Sequence, residues 1–156
     1  MFLPGFYDII CSANMEVIRL SLRFDVLMDE CDAGRMNALQ LAYLGDTVWE
    51  LIVRYELIIH RFNVHHMHKK CVDLVNAHSQ SCILDAIKDR LNDTETEIVR
   101  RGRNAHPKHA APRHQNPDEY AASTGFEALF GYLYLTGQND RIRELVKHIR
   151  EVIAYV

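Results

Sequence analysis

The sequence predicts an all-α domain, and three observations carry that reading. Apolar residues recur at three- and four-residue intervals through most of the 156 residues, the period of an amphipathic helix. Two long apolar runs, Ala38–Glu50 (ALQLAYLGDTVWE) and Ser123–Leu135 (STGFEALFGYLYL), are each built around one interior acid, Asp46 and Glu127. No stretch alternates convincingly with the period of a strand, and no internal repeat is present.

Phe6, Ile9, Ile10, Ala13, Val17, Leu20, Phe24 and Leu27 fall at helical spacing, and Gly34 stands where that helix would end. Residues 1–34 therefore read as a helical N-terminal extension, with a second unit over 35–156. Arg35 to about His60 reads as one long helix. Asn63–Arg90 yields one or two more, with apolar positions at Val64, Met67, Cys71, Val72, Leu74, Val75, Ala77, Ile83, Leu84 and Ile87. Thr94 and Glu97 have the spacing of a capping box that opens a helix to about Arg103. Pro107, Pro112 and Pro117 punctuate 104–117 as a loop. Asp118–Thr136 is the Glu127 helix, with Gly137 suited to its end. Asn139 or Asp140 caps a last amphipathic helix carrying Ile142, Leu145, Val146, Ile149, Val152 and Ile153.

Composition bounds the function. An apolar share of 48% and a charged share of 25% are globular values, and the length suits one domain with a substantial core. A net charge of −3 and a pI near 6.3 argue against a protein that coats nucleic acid indiscriminately, while leaving room for a local basic surface. Cys11, Cys31, Cys71 and Cys82 show no CxxC spacing and sit in apolar contexts, which suggests buried free thiols in a reducing compartment. Asp8 interrupts the N-terminal apolar run with no basic residue before it, so no secretory signal is read. The most apolar window, Leu51–Ile59, contains Arg54 and Glu56 and is too short for a bilayer. A cytoplasmic protein without a membrane partner is expected.

Asp46 and Glu50 are four apart and share a helix face. A carboxylate among apolar neighbours is expensive to desolvate unless a cation, a metal ion or a proton offsets its charge. The alternative is that Asp46 is exposed or caps a second helix. Glycines stand beside both acids: Gly45 next to Asp46, and Gly125 and Gly131 around Glu127. Glycine inside a helix costs about 1 kcal/mol relative to alanine, and close approach of two helix backbones is a common reason to keep it. Two such helices crossing closely would gather Asp46, Glu50 and Glu127, whose mutual repulsion a hard divalent cation relieves.

A basic stretch, Arg100–Gln115 (RRGRNAHPKHAAPRHQ), holds Arg100, Arg101, Arg103, Lys108 and Arg113, three histidines and no acid. It suits contacts to phosphate; a merely solvated loop is the alternative. His65, His66, His68, Cys71 and His78 lack a recognised zinc spacing and read better as a polar helix face. No nucleophile triad, Walker loop or GxGxxG occurs, so nucleotide cofactors are not expected.

The segments LAYLGDTVWE and STGFEALFGYLYL, with VRRGRNA at Val99–Ala105 between them and, less closely, VNAHSQSCILDAI at Val75–Ile87, resemble the ribonuclease III catalytic domain. More narrowly they resemble the Mini-III ribonucleases, the short bacterial branch without a double-stranded-RNA-binding domain. The resemblance runs from about Asn37 onward. It implies a magnesium-dependent endoribonuclease, with manganese able to substitute. The enzyme would cut double-stranded RNA, specifically the precursor of large-subunit ribosomal RNA, leaving 5′-phosphates. It implies that Asp46 and Glu127 are the catalytic, metal-binding acids. It places Arg100, Arg101, Arg103, Asn104, Lys108 and Arg113 near the RNA, with His78 where relatives tend to carry lysine. It also implies a two-fold homodimer, for which Trp49, Tyr55, Phe126, Phe130 and Tyr134 offer apolar faces if they are not core, and a ribosomal-protein helper is conceivable. The chain departs from full-length ribonuclease III at Ala42 and Thr124, where acids are expected, as Mini-III relatives do. Glu50 is a third catalytic candidate that would compensate, or else a surface or interface glutamate. The rival reading is a non-catalytic ribonuclease III-like module that binds RNA or the ribosome.

Overall fold

The computed structural model describes residues 27–105 and 116–154, with side chains to residue 151. Among the described residues the chain forms α1 (Glu30–Arg35), α2 (Ala38–Ile59), α3 (Val64–Val75), α4 (Ala77–Ile87), a 3-10 turn (Lys88–Arg90), α5 (Asp93–Asn104), α6 (Pro117–Leu135) and α7 (Asn139–Ala154), and no strand. The predicted all-α class is the observed one. Of the extension predicted over 1–34, residues 1–26 lie outside the described residues.

Asparagine sets most of the helix starts. The side chains of Asn37, Asn63, Asn76, Asn92 and Asn116 accept backbone N–H groups of Leu39, His66, Ser79, Glu95 and Asp118 at the starts of α2 to α6. Each satisfies one of the donors that a helix start leaves without an internal partner. These caps correct the expected boundaries. The single helix read from Arg35 to His60 breaks at Met36–Asn37, where extended backbone lets Asn37 cap α2. Gly34 lies inside α1 rather than ending a longer helix. The capping box is formed by Asn92 and Glu95, two residues before the expected Thr94 and Glu97. Asn92 has the extended backbone (ψ 175°) a cap requires, whereas Thr94 is already helical. Asn76 divides Asn63–Arg90 in two. Its side-chain oxygen caps α4 while its amide donates to the Val72 and Asp73 carbonyls that end α3. The last helix already includes Asn139. Gly137 closes α6 at φ +71°, a left-handed conformation that favours glycine.

Helix α6 is the centre of the molecule. Phe126, Ala128, Leu129, Phe130, Tyr132 and Leu133 are buried, so nearly its whole circumference faces other helices. It packs chiefly on α2, α5 and α4. Trp49 of α2 meets Phe126 edge-on at 5.0 Å and Phe130 at 5.4 Å, and its indole N–H donates to the Leu74 carbonyl at 3.2 Å. Trp49, Phe126 and Phe130 are thus core residues, 0–3% exposed, and not the interface faces offered above. Tyr134 packs partly against the same core, and Tyr55 is exposed. Two buried acids are held by arginine: Glu95 by Arg141 at 2.7 Å, and Glu56 by Arg150. Of the cysteines expected to be buried, Cys71 is, Cys82 is half-buried and Cys31 is exposed. Cys31 follows the exposed Asp29 cap at the start of α1.

Candidate active site

Two close crossings set the site. Gly45 of α2 lies against the backbone of Glu127 and Gly131 on α6. A Cβ on Gly45 would stand 1.7 Å from the Glu127 carbonyl oxygen, and one on Gly131 would stand 2.0 Å from the Leu41 carbonyl oxygen. On the other side of α6, Gly125 meets Gly102 of α5, where a Cβ on Gly102 would stand 2.7 Å from the Gly125 Cα. Asp46 follows Gly45 directly. The crossing therefore brings it beside Glu127, although the two lie on different helices far apart in the chain.

Their electrostatics follow from that placement. The Glu127 carboxyl is pushed up to about 7, by burial first and then by the charge of Asp46. Asp46 is exposed on α2, as the alternative reading allowed, and its carboxyl is still raised, by partial desolvation and then by the charge of Glu50. The Gln80 amide on α4 works the other way and favours the charged form of Glu127. It does so without closing a hydrogen bond of normal geometry, since its Nε2 makes none. Two converging carboxylates that resist joint ionisation form a donor set of hard oxygens, which fits a magnesium- or manganese-sized cation retaining several of its own waters. Such an ion would be held by Asp46 and Glu127.

Glu50 does not complete a triad of acids. Its Oε1 accepts from Arg54 Nη2 at 2.6 Å and Nε at 3.1 Å, and lies 4.0 Å from Cys71 Sγ. Among the described residues no group of three or more histidines, cysteines or acids stands ready to hold a metal.

The basic stretch divides. Arg100, Arg101, Arg103 and Asn104 lie in the C-terminal part of α5, which runs one residue past the expected end at Arg103. Lys108 and Arg113 lie outside the described residues. Arg100 is exposed and paired with Glu97 at 2.7 Å, an acid one turn before the stretch. Arg101 is partly buried and donates to the carbonyls of Gly34 and Met36, so it ties α1 to α5. Arg103 and Asn104 are exposed, and Arg103 lies along Gly125, two residues before Glu127. His78 is exposed on α4 with its Nδ1 2.9 Å from Glu119 Oε1. Sequence reasoning passed over Gln80. It lies within the VNAHSQSCILDAI stretch, but a glutamine in an amphipathic helix gives no sign of being buried.

Residues 39–138 match the model of the Ribonuclease III domain. The chain is 45% identical over 116 residues to a Mini-ribonuclease 3 of Symbiobacterium thermophilum, covering 74% of this chain and 88% of that one. It is 39% identical over 127 residues to a Mini-ribonuclease 3-like protein of Ilyobacter polytropus, covering 81% and 97%. Among solved structures it is similar to a Fusobacterium nucleatum protein determined by X-ray crystallography, with a TM-score of 0.65 and 30% identity over 72% of this chain and 89% of the other.

Proposed function

We propose that this chain, which belongs to the ribonuclease III family and is a ribonuclease of that type, cuts double-stranded RNA with a divalent ion held between Asp46 and Glu127. The observation that carries the reading is the convergence of those two acids at the Gly45 crossing. Asp46 and Glu127 would hold a divalent ion there, which would supply an activated water, neutralisation of phosphate charge and stabilisation of the leaving oxygen. Asp46 and Glu127 supply the negative oxygens that hold it, and the rigid helix crossing fixes their spacing. Burial of Glu127 keeps competing water away from one side of the site. Arg103 and Asn104, exposed at the basic end of α5, are available to backbone phosphates and would position a duplex without reading its sequence. With cations supplied by one domain alone, RNA binding is weak and falls steeply with salt.

Magnesium is the natural ion, with manganese as a substitute, and a 5′-phosphate product follows from in-line attack of water. Large-subunit ribosomal RNA precursor is the substrate that the Mini-ribonuclease 3 likeness favours. A homodimer is supported by exposed apolar residues on α2, where Tyr43 is 85% and Ile58 63% exposed. No helix among the described residues is long and apolar enough to cross a membrane.

The test is magnesium-dependent cleavage of a structured RNA duplex by the wild type, Asp46→Asn and Glu127→Gln. Both variants should lose at least about 100-fold in rate, the scale expected when a group that stabilises the transition state is removed. Equal cleavage by all three proteins would favour the rival, non-catalytic binding module.

A further inference from the structure

Gln80 is 1% exposed, one of the most deeply buried polar side chains described. Its Nε2 donates to nothing. A buried amide without a partner is destabilising, and an apolar residue of the same shape would avoid the cost. The position is also held stiffly. Gln80 lies in the first turns of α4, where the Asn76 side chain caps the Ser79 N–H at 2.9 Å and Ser79 Oγ donates to the Asp73 carbonyl at 2.6 Å. The Gln80 N–H itself donates to the Asn76 carbonyl at 3.0 Å. Helix α4 packs on α6, and the charged group that the Gln80 amide faces there is Glu127. A free donor, aimed at a carboxylate from a rigid turn, is the arrangement of an outer partner that orients a metal-binding acid.

We propose that Gln80 is a positioning residue: its Nε2 donates to one oxygen of the Glu127 carboxylate when the other oxygen takes the divalent ion. The inference rests on the metal site proposed above and goes beyond it by adding a residue that touches neither metal nor RNA. It also accounts for a site with few carboxylates. An amide donor sharpens the aim of one acid where further acids would add repulsion.

The experiment measures binding of manganese alone to the full chain, from the electron paramagnetic resonance signal of the free ion. Wild type, Gln80→Leu, Gln80→Met and Glu127→Gln are compared, with thermal midpoints taken without metal. Both Gln80 variants should bind manganese about 10-fold more weakly, the usual loss when an outer partner of a ligand is removed. Their metal-free midpoints should equal or exceed that of the wild type, because a buried orphan amide is gone. The manganese concentration giving half-maximal RNA cleavage should rise by the same factor. Unchanged manganese affinity in the Gln80 variants, with affinity lost in Glu127→Gln, overturns the role of Gln80 and leaves the metal site standing. A weaker affinity accompanied by a lower metal-free midpoint makes Gln80 structural and overturns the proposal. Wild-type affinity in Glu127→Gln removes the metal site and this inference with it.

Discussion

Glu127 sits where burial and a neighbouring charge both oppose ionisation, and this has a thermodynamic signature in the metal-free protein. Its folded value is raised to about 7 from 4.5, so between those limits the folded state holds a proton that the unfolded state has released. Stability therefore falls as pH rises through that window, by at most on the order of 3 kcal/mol. Asp46 is raised and acts in the same direction. Glu95 is the opposite case. Although burial disfavours its charge, Arg141 and the Asn92 N–H hold its carboxyl below its ordinary value. Its contribution is present above that value and lost only in more acid solution. The metal-free thermal midpoint should then be higher at pH 5 than at pH 7.5, and Glu127→Gln should flatten most of that slope. A slope unchanged in the variant would place its origin elsewhere. At this scale the two acids were legible because each stands alone in an apolar run, where an uncompensated charge demands a reason. Gln80 was not, since its meaning lies in burial that only the packing of α4 on α6 creates. Arg101 was legible as a cation but not as a tie to the Gly34 and Met36 carbonyls, which needs the α1–α5 contact.

Among elements, the crossing of α2 and α6 governs both stability and the site. Alanine at Gly45 or Gly131 gains about 1 kcal/mol of helix propensity. Its methyl group must nevertheless occupy space 1.7–2.0 Å from backbone oxygen, which no side-chain rearrangement relieves. The helices must separate, and the expected net loss is about 3 kcal/mol or more, with the acids moved apart as well. Gly34 is the control: it is helical, nothing lies within 4 Å of its missing Cβ, and Gly34→Ala should stabilise by about 0.5–1 kcal/mol. Chemical denaturation of the three variants measures both signs, and a mild effect at Gly45 and Gly131 would mean that the crossing yields. The sequence announced this crossing because glycine in an apolar helix is costly unless backbones meet. It announced Gly125 less well: that glycine serves the α5 crossing with Gly102, not the contact with α2. Helix starts were poorly legible for a related reason. Asparagine suits turns and caps alike, and only extended backbone at Asn37, Asn76 and Asn92 decides for the cap.

The whole molecule raises the matter of its copy number. Helix α2 carries Asp46 near its middle and, among the described residues, leaves Leu39, Tyr43, Leu51, Tyr55, Ile58 and Ile59 exposed. Exposed apolar residues gathered on one element favour association, and a two-fold interface would use the same patch on both copies. Because the patch and the acid share one rigid helix, pairing would set the distance between two sites, one for each strand of a duplex. Tyr43→Glu and Ile58→Glu together place two charges on this surface. Both positions point to solvent, at 85% and 63% exposure, so the fold should change by less than about 0.5 kcal/mol for each. Sedimentation equilibrium should give the wild type twice the 18.1 kDa chain mass, 36.2 kDa, and the double variant 18.1 kDa. The monomer should keep its manganese affinity, because the acids and Gln80 are untouched, while losing coordinated cutting of the two strands. A double variant that keeps the wild-type mass would exclude this face of α2 as the interface, and a wild type of 18.1 kDa would remove the dimer altogether.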